Sequence, residues 1–156
     1  MEHLPELAAA VESTADALLD VLESARVAQC PVIPPTQLRV LHVIAAHGRL
    51  NMNRLAELLD VVPSSATRLC DRMEAAGLVR RMPEAHDRRE VRVVLTPTAQ
   101  RLLDELRDRR RAALAEVLAR MTPTTQAELA RALAAFDQAA AVATAGACDD
   151  AVRRSA

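Results

Sequence analysis

The feature that most constrains this chain is a change of hydrophobic period. From Leu4 to Met73 apolar residues recur at three- and four-residue steps, the spacing of one buried face of a helix. Over Leu78-Val79-Arg80-Arg81-Met82 and Val91-Arg92-Val93-Val94-Leu95 the pattern shifts to short β-favouring runs separated by the polar tip Pro83–Glu90. The helical period then resumes from Pro97. Such an order predicts a mainly α chain carrying one β-hairpin. Composition agrees: only three glycines break the chain, Phe136 is the one aromatic residue, and alanine and leucine dominate.

The helices can be delimited from their stops and caps. A first helix over about Leu4–Val27 carries Leu4, Leu7, Val11, Ala15, Leu18, Leu22 and Ala25 as one stripe and ends before Cys30-Pro31-Val32-Ile33-Pro34-Pro35. Thr36 is placed to cap a second helix, Gln37–Ala46, that stops at Gly48. Leu50-Asn51 is too short for a strand unless it pairs with one. Asn51 caps a third helix to Leu59, with Leu55, Ala56 and Leu59 facing inward. Asp60-Val61-Val62 then leads tightly into a fourth helix, Pro63 to about Ala76, ending at Gly77. Thr96-Pro97 opens a fifth helix to about Met121, and Thr122-Pro123 a sixth bearing Leu129, Leu133, Phe136 and Ala140. The tail after Gly146, residues 147–156, lacks an apolar face and is expected to fray. Three segments result: helices over 1–35, a helix–hairpin module over 36–97, and helices over 98–146. The outer stripes are too long to be covered by a small central module, which predicts a homodimer.

Charge and composition narrow the function classes. Basic and acidic residues nearly cancel, giving a net charge of -1, and all 20 basic residues are arginine. Each cation is therefore a planar fork suited to phosphate and guanine edges. No basic, apolar-cored leader opens the chain and no apolar run reaches membrane-spanning length, so a cytoplasmic protein without a membrane partner is expected. Three cysteines, Cys30, Cys70 and Cys148, do not make a disulfide framework. No Gly-rich phosphate loop, no nucleophile–base pair at useful spacing and no metal motif appears, so neither enzyme activity nor a cofactor or metal is expected.

Two short helices joined by a tight turn form a helix-turn-helix unit, whose second helix enters the DNA major groove with its N-terminal residues at base edges. Here that helix opens Pro63-Ser64-Ser65-Ala66-Thr67-Arg68. Ser64 and Ser65 suit close approach to phosphate, Thr67 a thymine methyl, Arg68 a guanine edge, and Arg72, one turn on, a phosphate. Leu69 and Met73 point into the core. On the hairpin tip, Arg88 and Arg89 suit the narrow minor groove, and Asp87 can brace one of them by a charge-assisted bond.

These residues resemble the multiple antibiotic resistance regulator (MarR) family of winged helix-turn-helix regulators. The resemblance is carried by Thr36–Leu41, Gly48, Leu55-Ala56, Thr67-Arg68-Leu69, Asp71-Arg72-Met73-Glu74, Gly77-Leu78-Val79, Asp87-Arg88-Arg89 and Val93-Val94-Leu95-Thr96-Pro97. It runs from Thr36 to about Leu106; the flanking helices agree in length and position. It implies a winged helix-turn-helix flanked by dimerisation helices, a homodimer bound to a palindromic double-stranded operator, and a repressor released by a small anionic or phenolic effector. It also implies that Ser64, Ser65, Thr67, Arg68 and Arg72 form the recognition helix and Asp87 and Arg89 the wing motif. Two positions depart from the family pattern: Asp60 stands where the turn usually has glycine, and Val62 where a hydroxyl cap usually precedes the proline.

Plainer readings compete at several of these residues. Arg68 and Arg72 can instead pair with Asp71 or Glu74 on a solvated face, and Arg88 and Arg89 can belong to an ordinary charged loop. Arg109-Arg110-Arg111 reads better as a salt-bridged surface beside Asp104, Glu105 and Asp108. Cys70 reads as a small buried hydrophobe rather than a redox sensor, and nothing near Cys30 lowers a thiol pKa. His42 reads as a core or pocket residue rather than a metal ligand. Two alternatives to an effector-released repressor stand beside it: redox control through a cysteine, and a protein-interaction module that has lost DNA binding. If an effector pocket exists, it is expected between helices one, two and five near Cys30–Arg39, lined by aliphatic side chains.

Overall fold

The computed structural model of the chain describes residues 3–28, 32–83 and 91–154, with side chains described as far as Val142. Among them the order is α1 (His3–Val27), α2 (Pro35–His47), β1 (Leu50–Asn51), α3 (Met52–Leu59), α4 (Pro63–Ala75), β2 (Val79–Pro83), β3 (Val91–Leu95), α5 (Pro97–Leu118) and α6 (Pro123–Arg154). The protein is therefore mostly helical with one small sheet.

That sheet is antiparallel, in the order β1-β3-β2. The Leu50-Asn51 pair finds its partner in β3, Leu50 opposite Val93 and Asn51 opposite Arg92. On the other side, β2 pairs with β3 from Val79↔Leu95 to Pro83↔Val91. β2 is thus an edge strand. Its Val79 and the central Val93 are buried under the helices.

A single apolar cluster holds the helix–sheet module together. Leu38, Val40, Leu41 and Ile44 of α2 meet Leu55 and Leu59 of α3, Cys70 and Met73 of α4, and Ala99, Leu103 and Leu106 of α5. Leu55, Leu59, Met73, Leu103 and Leu106 are core positions that periodicity predicts, and burial of each of these leucine or methionine side chains contributes about 1.5–3 kcal/mol.

Helix ends follow local chemistry, with two departures from expectation. The Asn51 side chain accepts from the Arg54 N–H at 2.8 Å, capping α3 as its position predicts. Thr96 Oγ1 accepts from the Ala99 N–H at 3.2 Å and donates to the Gly77 carbonyl at 2.7 Å, tying the start of α5 to the end of α4. Thr36, by contrast, is not the cap of α2. The helix begins at Pro35 after Pro34, with no side-chain cap; proline's fixed φ is preorganised for the first helical position. At the other end of the chain α6 continues as helix through Arg154, past Gly146. One glycine costs a helix only about 1 kcal/mol, and alanines flank this one.

The chain divides into two compact units, Met1–Ala113 and Leu114–Ala156. In the first, α1 buries only Ala25 and Arg26. The Leu4, Leu7, Val11 and Leu18 stripe stays exposed, Leu4 at 64% and Leu7 at 59%. In the second, no residue whose side chain is described is buried, and Leu133 and Phe136 are largely in solvent.

Candidate nucleic-acid interface

The turn between α3 and α4 is made by one residue in a left-handed conformation. Asp60 has φ 55° and ψ 51°, and its N–H donates to Glu57 O at 3.1 Å while the Val61 N–H reaches Ala56 O at 3.0 Å. Aspartate accepts this region better than most residues, so the turn forms without glycine. α4 then starts at Pro63 behind Val62, which supplies no side-chain cap.

α4 has two distinct faces. Ala66, Cys70 and Met73 are fully buried and Leu69 packs beside them. Ser64, Thr67, Arg68 and Arg72 are exposed, and Ser65 is half-buried at the margin. All five predicted reading residues of this helix therefore lie together, four of them open to solvent. The Thr67 hydroxyl donates to Pro63 O at 3.0 Å, so its proton is committed to the backbone. Arg72 Nε reaches back to Arg68 O at 3.4 Å.

The carboxylates beside these arginines are engaged elsewhere. Arg81 of β2 sets its Nη2 2.7 Å from Asp71 Oδ1 and its Nη1 2.8 Å from Glu74 Oε2. Its backbone N–H also donates to Glu74 Oε1 at 3.0 Å. Among the described residues Arg68 and Arg72 form no ion pair, so Asp71 and Glu74 are not their partners. Sequence reasoning missed Arg81. The available signal was β alternation, which puts Arg81 on the face of buried Val79.

β2 and β3 form the base of the wing. Asp87, Arg88 and Arg89 lie outside the described residues, as does Cys30; the Cys148 side chain does too. Cys70 is buried and its thiol pKa is pushed up, chiefly by burial, with Arg81 opposing. That is the environment of a packed thiol rather than a reactive thiolate.

A cleft of about 490 Å³ opens between α1, α2 and α5, lined by Leu22, Arg26, Leu38, Arg39, His42 and Arg110 among others. Arg26 is buried at one end. Its Nη1 donates to Ile33 O at 2.7 Å and its Nε to Glu23 Oε2 at 2.8 Å, which ties the end of α1 to the approach to α2. The same bond pulls the Glu23 pKa below the usual carboxylate value. His42 is held below the ordinary histidine value, first by partial loss of water and then by the charges of Arg110 and Arg107. The cleft is therefore rich in cations and presents a neutral imidazole near pH 7. Among the described residues no group of three or more His, Cys, Asp or Glu could hold a metal ion, and no helix is long and apolar enough to cross a membrane.

An exposed, arginine-bearing second helix behind a tight turn, backed by a short sheet, defines a winged helix-turn-helix DNA-binding protein. A MarR-family model matches residues 33–90. The chain is 32% identical over 108 residues to the HTH-type transcriptional repressor MdtR of Bacillus subtilis, covering 69% of this chain and 70% of that protein. It is 32% identical over 77 residues to the multiple antibiotic resistance protein MarR of Salmonella typhimurium, covering 49% of this chain and 54% of that one. Among solved structures, RV1404 of Mycobacterium tuberculosis superposes with a TM-score of 0.77 at 29% identity, over 87% of this chain and 93% of its own. A MarR family protein of Bacillus stearothermophilus gives 0.72 at 26% identity, over 90% and 96%. The chain belongs to the MarR family of transcriptional regulators.

Proposed function

We propose that this regulator is a repressor that binds a palindromic operator as a homodimer and is released by a small anionic effector. The observation that carries the DNA-reading part is the exposed face of α4, where Arg68 and Arg72 have no carboxylate partner among the described residues. In this reading α4 enters the major groove, Arg68 meets a base edge, Thr67 turns its methyl to a thymine methyl, and Ser64, Ser65 and Arg72 hold the flanking phosphates. The wing arginines Arg88 and Arg89 reach the adjacent minor groove, with Asp87 bracing one of them. The likeness to a protein named as a transcriptional repressor supports repression here. Two symmetric recognition helices entering successive major grooves require half-sites about 10 base pairs apart.

The cleft between α1, α2 and α5 is the effector site in this reading. Arg39 and Arg110 favour a carboxylate or phenolate, and Leu22 and Leu38 favour an apolar body. A gel-shift titration against the DNA upstream of the regulated gene and against a shuffled duplex, at two salt concentrations, tests the reading. Preference for the upstream duplex that an anionic aromatic such as salicylate weakens is expected. Equal affinity for both duplexes would remove operator recognition, and indifference to a broad set of carboxylates and phenols would remove the effector.

A further inference from the structure

We propose that Arg81 is a positioning residue for DNA reading: from the wing strand β2 it clamps Asp71 and Glu74 of α4 and so sets the angle between wing and recognition helix. The inference rests on α4 being the reading helix. One residue makes three bonds to two carboxylates at i and i+3 on one helix face. Its planar fork has a fixed geometry, so the two side-chain bonds resist sliding along α4 and rotation about it. Glu74 takes the guanidinium on one oxygen and the strand backbone on the other, which grips a strand that is at the sheet edge among the described residues.

The clamp also decides what Arg68 can do. Asp71 lies at i+3 from Arg68, within reach of a helix ion pair. While Arg81 holds Asp71 at 2.7 Å, Arg68 stays available to DNA. Removing Arg81 frees Asp71 to capture Arg68 and turn it from the base edge. The cost to folding is small by comparison. The Arg81 side chain is 28% exposed and Asp71 55%, a setting in which ion pairs add little stability. Buried Cys70, Met73, Leu78 and Val79 already hold the two elements together. The structure therefore assigns Arg81 to the accuracy of reading more than to stability.

The test compares wild type, Arg81→Met, Arg81→Lys and Asp71→Asn on the best duplex selected from a random library and on a shuffled duplex of equal composition. Arg81→Met should reduce the selected-to-shuffled affinity ratio about tenfold, the size of a local network coupling. Its salt slope should stay unchanged, because no phosphate contact is lost. Arg81→Lys, with one point charge, should recover part of the ratio, and adding Asp71→Asn to Arg81→Met should recover the part lost to capture of Arg68 by Asp71. An unchanged ratio overturns the proposal; so does a slope flattened by about one unit per subunit, which would make Arg81 a direct phosphate contact. Spin labels on Ser64→Cys and Arg80→Cys, with Cys30 and Cys148 replaced by serine, report the clamp without DNA. Their distance distribution should broaden in Arg81→Met, and an equally narrow one overturns the clamp. If wild type selects no duplex at all, operator reading fails while the label distances still judge the clamp.

Discussion

Arg68 has a carboxylate at i+3 and does not pair with it, because that carboxylate is held by Arg81. An unpaired arginine near the start of α4 and an arginine on the wing should fail differently when removed. Arg68→Ala should cost about 1–3 kcal/mol of binding and relax preference at one symmetric pair of operator positions. Arg89→Ala should weaken binding evenly across sequences and flatten the salt slope by about two units for the dimer. Titrations against single-position operator mutants at two salt concentrations separate the two; an intact preference in Arg68→Ala would put the reading face elsewhere on the helix. His42 gives a second prediction at this scale. Its folded value lies below 6.5, so the unfolded chain binds the proton more tightly. Its contribution to stability is complete above pH 6.5 and is lost as pH falls through the folded value. A melting curve at each pH should show that decline, and His42→Gln should flatten it. An anion in the cleft should draw the proton onto His42, so effector affinity should rise over the same interval as pH falls; affinity independent of pH would take His42 out of the site.

At the scale of elements, the α3–α4 turn carries both of this chain's departures from the family pattern, and both are open to repair. Val62→Ser should supply the missing cap of α4 and add about 0.5–1 kcal/mol, seen as a rise of roughly 1–4 °C in melting temperature. Asp60→Gly should be near neutral, since relief at a positive φ is offset by the greater freedom of glycine in the unfolded chain. A marked loss in Asp60→Gly would show that the aspartate side chain does more than tolerate the turn. The elements themselves were legible in the sequence because each is a local signal: Asn51 before α3, proline at the start of α4, glycine after α2, and the change of period at Leu78. The partner of Leu50-Asn51 was not legible, since β3 lies some forty residues downstream and only the fold brings them together. The same limit hid Arg81. Asp71 had Arg68 in helical reach, and nothing in a linear reading favours a strand residue over it. Thr36 misled for the opposite reason, a good cap type standing one residue behind a proline that starts the helix better.

At the scale of the molecule, apolar side chains lie open in each of the two units. Leu4, Leu7, Val11 and Leu18 line α1 in the first unit, and Leu133, Phe136 and Val142 lie open in the second, where no described side chain is buried. Side chains left in solvent give little hydrophobic stabilisation, and among the described residues of this unit none is buried. In folded proteins most helical stability comes from packing of an apolar face rather than from propensity. A second copy meeting both stripes across a two-fold axis would supply that packing, and it would also set the spacing of the two α4 helices. Light scattering at micromolar concentration should therefore give twice the 16.9 kDa chain mass. Because folding and association are then one event, the melting temperature should rise with protein concentration, which a monomer would not show. Leu7→Glu and Phe136→Glu, each placing a charge in a stripe the partner must cover, should lower the midpoint and move the protein toward monomer as concentration falls. Val91→Glu, at a comparably apolar but only 38% exposed position on the wing strand, should leave the mass unchanged. A folded monomer at micromolar concentration with a concentration-independent midpoint would overturn the dimer and remove the reason for paired half-sites.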